Sequence, residues 1–282
     1  MILRPDYINA IEPFIDSPIV KILAGVRRCG KSTILEMVAD ELIKHGSSKE
    51  NIIERRYNEI MYEDFSAKDM YSDLKNDISG KGRCYLLLDE LQEIKGWEKV
   101  INDLLENSDV DIYVTGSNSK LMSSEISTYL TGRYVTIPVY TLSLREYLTF
   151  KNKDVSQARD VFDEYVQYGG FPIVGISSFD TKMLSAVFEN IVYLEMKRKG
   201  YDVYIGKNNT KEIDFVAVRR DKRIYVQVCV QLPDGSDRET ANLMDIKDHY
   251  HKYVVCRDTL ALGNDNGIEI VHIADFLMRD NW

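Results

Sequence analysis

The chain has 282 residues, 44% of them hydrophobic and 29% charged, with a formal net charge of −9. These values fit one large or two modest globular domains, two being the expectation, and do not read as a disordered chain. No apolar run approaches the roughly 18 residues that a membrane helix needs. The opening stretch MILRPDYINAIEPFID carries Asp6, Glu12 and Asp16 where a secretory signal needs a basic flank and an unbroken apolar run. A cytoplasmic location is therefore expected. Cys29, Cys84, Cys229 and Cys256 form no Cys-x-x-Cys pair, which fits reduced thiols better than a disulfide framework or a zinc site. The negative charge argues against a surface built to neutralise phosphates, so a nucleic-acid partner would need a local basic patch.

The first half alternates apolar runs with helical stretches, the pattern of βαβ units and a parallel sheet covered on both faces. The runs are IVKILAG (19–25), NIIERRY (51–57), CYLLLD (84–89), DIYVT (111–115) and YVTIPVY (134–140). STILEMVADELIKHG places Ile34, Leu35, Val38, Leu42 and Ile43 at helical spacings and ends at His45-Gly46, a helix C-terminus. Residues 97–107, WEKVINDLLEN, repeat the pattern with Trp97, Val100, Ile101, Leu104 and Leu105 on one face. The first domain is expected over 1–150, and a helical segment and linker with the punctuation YGGFPIVG over 151–182. A second, smaller α/β unit follows over 183–282: a helix (183–199), strands around YDVYIG, EIDFVAV and RIYVQVCVQL, a helix near 237–249 and a strand at KYVVC.

Gly25-Val26-Arg27-Arg28-Cys29-Gly30-Lys31-Ser32, followed by Thr33, fits the phosphate-loop pattern and lies between a predicted strand and a predicted helix. Its glycines let backbone N–H groups turn inward around phosphate oxygens, and the helix N-terminus adds its positive dipole end. Lys31 would bridge β- and γ-phosphates, and the Ser32 hydroxyl would ligate magnesium, so ATP and magnesium are the expected ligands. CYLLLDELQ is an apolar strand ending in Asp89-Glu90. A carboxylate delivered to the C-terminal edge of a parallel sheet suits magnesium, the role given to Asp89, while Glu90 can take the proton of an attacking water. The strand DIYVTGSNSK presents Thr115, Ser117 and Asn118 beside them. Asn118 or Ser117 would orient water or touch the γ-phosphate. Arg133 in TGR (131–133) is a candidate arginine finger, acting in its own or a neighbouring site.

GVRRCGKST, LLLDELQ followed by Trp97-Glu98, TGSNS, TGR and LSLREY, in this order, resemble the prokaryotic AAA-type ATPases that carry a nuclease-like C-terminal domain. The resemblance covers residues 1–176 and 183–282. It implies an ATPase sheet with the carboxylate pair on a strand beside the phosphate-loop strand, and it supports Asp89, Glu90 and Asn118 or Ser117 in the roles above. Relatives of this kind carry a winged-helix-like region between the YGGFP segment and the C-terminal domain, for which this chain has almost no room. FENIVYLEMKRKGYDVYIGKNNTKEIDFVAV with IYVQV looks like a restriction-endonuclease-like fold, whose magnesium-holding positions fall on Glu189, Asp214 and Gln227. Cys229 stands where that pattern has a lysine. A neutral thiol brings no positive charge to an attacked phosphate, so an inactive domain used for packing or partner binding is expected. The implied function is an ATP-hydrolysing switch acting on the C-terminal domain or a protein partner. An ATP-regulated DNA nuclease and a P-loop kinase are the alternatives.

Overall fold

All five apolar runs of the first half are strands: β1 (Val20–Gly25), β2 (Ile52–Arg56), β3 (Cys84–Asp89), β4 (Val110–Gly116) and β5 (Tyr134–Val139). They form one parallel sheet in the order β2-β3-β4-β1-β5. The computed structural model describes residues 3–117, 129–168, 170, 181–208, 211–232 and 238–282. The chain folds as two units, residues 1–141 and 142–282.

The sheet of the first unit is buried on both faces, which is why its strands read as continuous apolar runs. On one face Val20, Ile22, Ala24, Leu86, Leu88, Ile112 and Val114 pack with Met70, Leu74 and Ile78 of α3 (Ala67–Ile78) and with Trp97, Ile101 and Leu104 of α4 (Trp97–Asn107). On the other, Leu23, Leu87 and Tyr113 pack with Ile34, Leu35, Val38 and Leu42 of α2 (Lys31–Lys44) and Ile11 of α1 (Pro5–Ile11). His45 caps α2 as expected, its N–H donating to the Glu41 carbonyl, and Gly46 follows at φ +95°. Neither α1 nor α3 is among the elements expected from the sequence pattern. The signal for α3 is present: Ser66 and Asp69 form a reciprocal capping box ahead of apolar residues at spacing four.

The strand order corrects one expectation. The carboxylate strand β3 does not neighbour the phosphate-loop strand β1, because β4 lies between them. The end of β4 is therefore the element that can touch both.

The second unit begins with α5 (Leu144–Phe150) and α6 (Ala158–Tyr168), which pack on each other and on α9 (Ile273–Met278). Arg159 pairs with Asp275, Arg257 with Asp163 and Arg145 with Asp280. After α7 (Thr181–Arg198) come β6 (Asp202–Asn208), β7 (Lys211–Arg219), β8 (Lys222–Val228), α8 (Arg238–Met244), β9 (His251–Cys256), β10 (Gly263–Asp265) and β11 (Ile268–His272). The sheet order is β10-β11-β9-β8-β7-β6, with β6, β7 and β8 antiparallel and β8, β9 and β11 parallel. The helix expected over 237–249 stops at Met244. Asp248 accepts from the Tyr250 N–H at 3.2 Å and from the Tyr225 hydroxyl at 2.6 Å, side-chain bonds that compete with a helical ladder and turn the chain into β9. Among the described residues no helix is long and apolar enough to cross a membrane.

Candidate nucleotide site

Because every strand of the first sheet runs the same way, the C-terminal strand ends lie along one edge. Gly25 sits opposite Val139, Ala24 opposite Gly116, Leu88 opposite Val114 and Arg56 opposite Asp89. The phosphate loop leaves β1 at this edge and enters α2 at Lys31. Two of its glycines are required by geometry. A Cβ on Gly25 would meet the Val139 carbonyl oxygen at 2.3 Å and the Cys29 sulfur at 2.7 Å, and Gly30 turns into the helix at φ +98°. Arg28 also adopts a positive φ, 66°. Cys29 is buried, and burial pushes its thiol pKa up, so it serves as a small neutral packing group.

Lys31 is only 3% exposed, and its ammonium sits 3.3 Å from the Gly25 carbonyl and 3.2 Å from that of Val26. Its ion-pair partner is Glu90, at 3.5 Å. Across the edge, Thr115 at the end of β4 joins the two acidic residues. Its hydroxyl donates to Asp89 Oδ1 and accepts the Glu90 N–H at 3.0 Å. Glu90 needs that support, since it stands at φ 51°, ψ 44°, a left-handed conformation that costs a non-glycine residue roughly 1–2 kcal/mol. The residues present suit a magnesium-bound triphosphate. The Ser32 hydroxyl at the start of α2 and the Asp89 carboxylate are hard oxygen donors, and Lys31 is a buried cation among carbonyls.

Arg4 is a residue of this site that motif reading missed. It is buried, with Nη1 donating to the Cys29 carbonyl at 2.9 Å and Nη2 to the carbonyls of Tyr140 at 3.0 Å and Thr141 at 3.3 Å. It thus ties the crest of the phosphate loop to the chain leaving β5. No local pattern announces it, because its partners lie 25, 136 and 137 residues away. Arg27 and Arg28 are exposed and line, with Tyr57, Asn58, Glu59, Ile60, Tyr62, Glu63, Glu90 and Glu93, a cavity of about 740 Å³.

Ser117 lies just beyond β4 at the same edge, while Asn118 falls outside the described residues. Arg133 is elsewhere. It precedes β5, and its carbonyl accepts the Val20 N–H at 2.9 Å, so it sits at the N-terminal edge of the sheet. The length of β1 separates it from its own phosphate loop, roughly 17 Å at 3.3 Å per residue, beyond the reach of one side chain. There its guanidinium donates to Asn102 Oδ1 and Glu106 Oε1 on α4.

In the second unit Asp214 and Gln227 come together on β7 and β8. Asp214 accepts the Val228 N–H at 2.7 Å, and its own N–H reaches Gln227 Oε1 at 3.4 Å. Glu189 lies on α7 and accepts from Ser185 at 3.2 Å. Cys229 is buried beside the Cys256 thiol, with its N–H on the Val255 carbonyl at 3.0 Å.

Residues 17–148 match the sequence model of a family described as "AAA domain". An uncharacterized protein of Haemophilus influenzae is 28% identical, the match covering 99% of each chain over an aligned length of 398. That length exceeds the 282 residues here, so the relative carries sequence without a counterpart in this chain. The uncharacterized protein MJ1544 of Methanocaldococcus jannaschii is 28% identical over 63% of this chain, which spans 42% of its length. A DNA polymerase III gamma subunit-related protein of Thermotoga maritima aligns in structure over 69% of this chain and 83% of its own at 11% identity, with a TM-score of 0.35. The family-model match falls largely within the first unit, whose five-stranded parallel sheet with flanking helices has the P-loop NTPase fold.

Proposed function

We propose that the chain binds ATP with magnesium at the loop Gly25–Ser32 and hydrolyses it. The observation that carries this reading is the arrangement at one sheet edge of a buried Lys31, the Glu90 carboxylate paired with it, and the Asp89 carboxylate, which Thr115 ties to the Glu90 backbone N–H. Lys31 and the loop amides would hold the phosphates, and Ser32 and Asp89 would hold the metal. Bound magnesium neutralises charge on the phosphate oxygens. Glu90 takes the proton of the attacking water. A carboxylate beside the lysine favours activation of water over transfer to a substrate hydroxyl, which separates an ATPase from a P-loop kinase. The wild-type chain should release phosphate from ATP with magnesium and no added acceptor. Lys31→Ala should weaken ATP binding by about 1.5–3 kcal/mol, the worth of a charge-assisted bond that no neighbour replaces. Unchanged affinity in Lys31→Ala, or phosphate release only with an added acceptor, would overturn the reading.

Arg133 is assigned to a nucleotide held by another copy of the chain, because the sheet separates it from its own loop. A finger acts on charge that develops in the transition state. Arg133→Ala should therefore lower turnover more than ATP affinity, and mixing it with excess Lys31→Ala chains should restore part of the turnover. A mixture no more active than the sum of its parts counts against the assignment. In the second unit the chemistry of a nuclease lacks its cation at Cys229, so hydrolysis is taken to alter the contacts of this unit or of a protein partner rather than to drive DNA cleavage.

A further inference from the structure

Lys31 and Glu90 hold each other in the structure, and a third residue holds the pair. The Lys31 ammonium lies 3.5 Å from Glu90 Oε1. The other carboxylate oxygen, Oε2, accepts from Gln92 Nε2, which also donates to Glu93 Oε1 at 3.3 Å. The Glu90 carboxylate is thereby gripped at both ends, by the lysine on one oxygen and by the amide on the other. Gln92 lies in the single turn of 3-10 helix, Leu91–Glu93, that follows the strained Glu90 backbone. The far end of the same amide, Oε1, is buried and has no hydrogen-bond partner among the described residues. The hydrogen bonds of this amide are therefore made through its donor end, to the carboxylates of Glu90 and Glu93.

We infer that Gln92 is a positioning residue that latches the Glu90 carboxylate onto Lys31, so that a phosphate group entering the loop must displace Glu90 to take the lysine. The inference rests on the reading of this loop as an ATP site. The same displacement frees Glu90 Oε1, the oxygen that Lys31 holds, to meet water, which couples arrival of the triphosphate to availability of the base. A phosphate and Glu90 compete for one ammonium, so whatever strengthens the Lys31–Glu90 contact lowers apparent nucleotide affinity by the fraction of chains in which Lys31 is engaged. Gln92 contributes a hydrogen bond to a charged acceptor, one of the stronger kinds. Its amide donates to Glu90 and Glu93 rather than to the phosphate loop, so its effect on binding passes through Glu90.

The test is equilibrium binding of a non-hydrolysable ATP analogue, AMP-PNP, with magnesium to the full chain. Gln92→Leu, or Gln92→Met where the leucine variant does not fold, should bind about three- to tenfold more tightly than wild type, a gain that simple structural damage does not produce. Glu90→Ala should also bind more tightly, and adding Gln92→Leu to Glu90→Ala should change nothing further, as a cycle between two residues acting through one contact requires. Equal or weaker binding by a folded Gln92 variant, or an unchanged Gln92 effect in the Glu90→Ala background, overturns the latch while leaving the ATP site standing. Absence of AMP-PNP binding by wild type as well as variants would sink the ATP reading and the latch with it.

Discussion

Glu90→Gln should leave ATP bound and lower its turnover by about 10²–10⁴-fold, the range that a positioned proton acceptor contributes. The amide keeps the length and shape of the side chain and can still hydrogen-bond a water, but it cannot take the water's proton. The surroundings of Glu90 make the substitution a clean one. Its backbone N–H is held by Thr115 Oγ1 at 3.0 Å, and that bond does not involve the side chain. Lys31 keeps the Gly25 and Val26 carbonyls at 3.3 and 3.2 Å when the carboxylate is gone. Loss of the Lys31–Glu90 contact should, if anything, ease phosphate entry. Burst and steady-state phosphate release, with binding measured separately, would distinguish the outcomes. Turnover close to wild type would move the base to another residue, and loss of binding in parallel with turnover would make Glu90 a structural support of the loop.

The parts of this site that the sequence reveals are those written in contiguous residues. The loop pattern, the apolar run that ends in Asp89-Glu90 and the strand that ends in TGS are each local, because one strand with its following turn must carry each chemical group to the sheet edge. What stays hidden depends on how distant segments meet. The insertion of β4 between β1 and β3 is a choice of strand order that no residue pattern encodes, yet it makes Thr115 the bridge between Asp89 and Glu90. Arg4 reaches its carbonyl partners only after β5 has come alongside β1. The edge at which Arg133 sits likewise follows from strand direction rather than from the TGR motif. The short elements β10, β11 and α9, each six residues or fewer, are too brief to show a period, whereas the capping box of α3 is legible in the sequence.

Asp111→Ala should destabilise the first unit by about 3–5 kcal/mol, because it removes one partner of a buried ion pair and strands the other. Lys21 on β1 and Asp111 on β4 are both fully buried, and the ammonium bonds to Asp111 Oδ1 and to the Ser17 carbonyl at 3.3 Å. Asp111 Oδ2 in turn accepts the Asp16 N–H at 2.9 Å and the Tyr113 hydroxyl at 2.8 Å, so the substitution leaves three donors short of an acceptor. Burial already pulls the Lys21 pKa below its ordinary 10.5, and the carboxylate pulls the other way. With Asp111 gone the burial effect is unopposed and the folded-state pKa falls further. The unfolded chain then binds more protons than the folded one between that lowered value and 10.5, so the variant should regain stability as pH rises through this window. Lys21→Met combined with Asp111→Leu removes the charge itself and should recover part of the loss, although the Asp16 N–H and the Tyr113 hydroxyl still lack Oδ2. Trp97, buried in the same unit, can report urea unfolding in a Trp282→Phe background. An Asp111→Ala chain within about 1 kcal/mol of its parent, or one whose stability fell as pH rose toward 10, would mean that water or a rearranged neighbour satisfies Lys21, and the pair would not be the support of the sheet that its burial indicates.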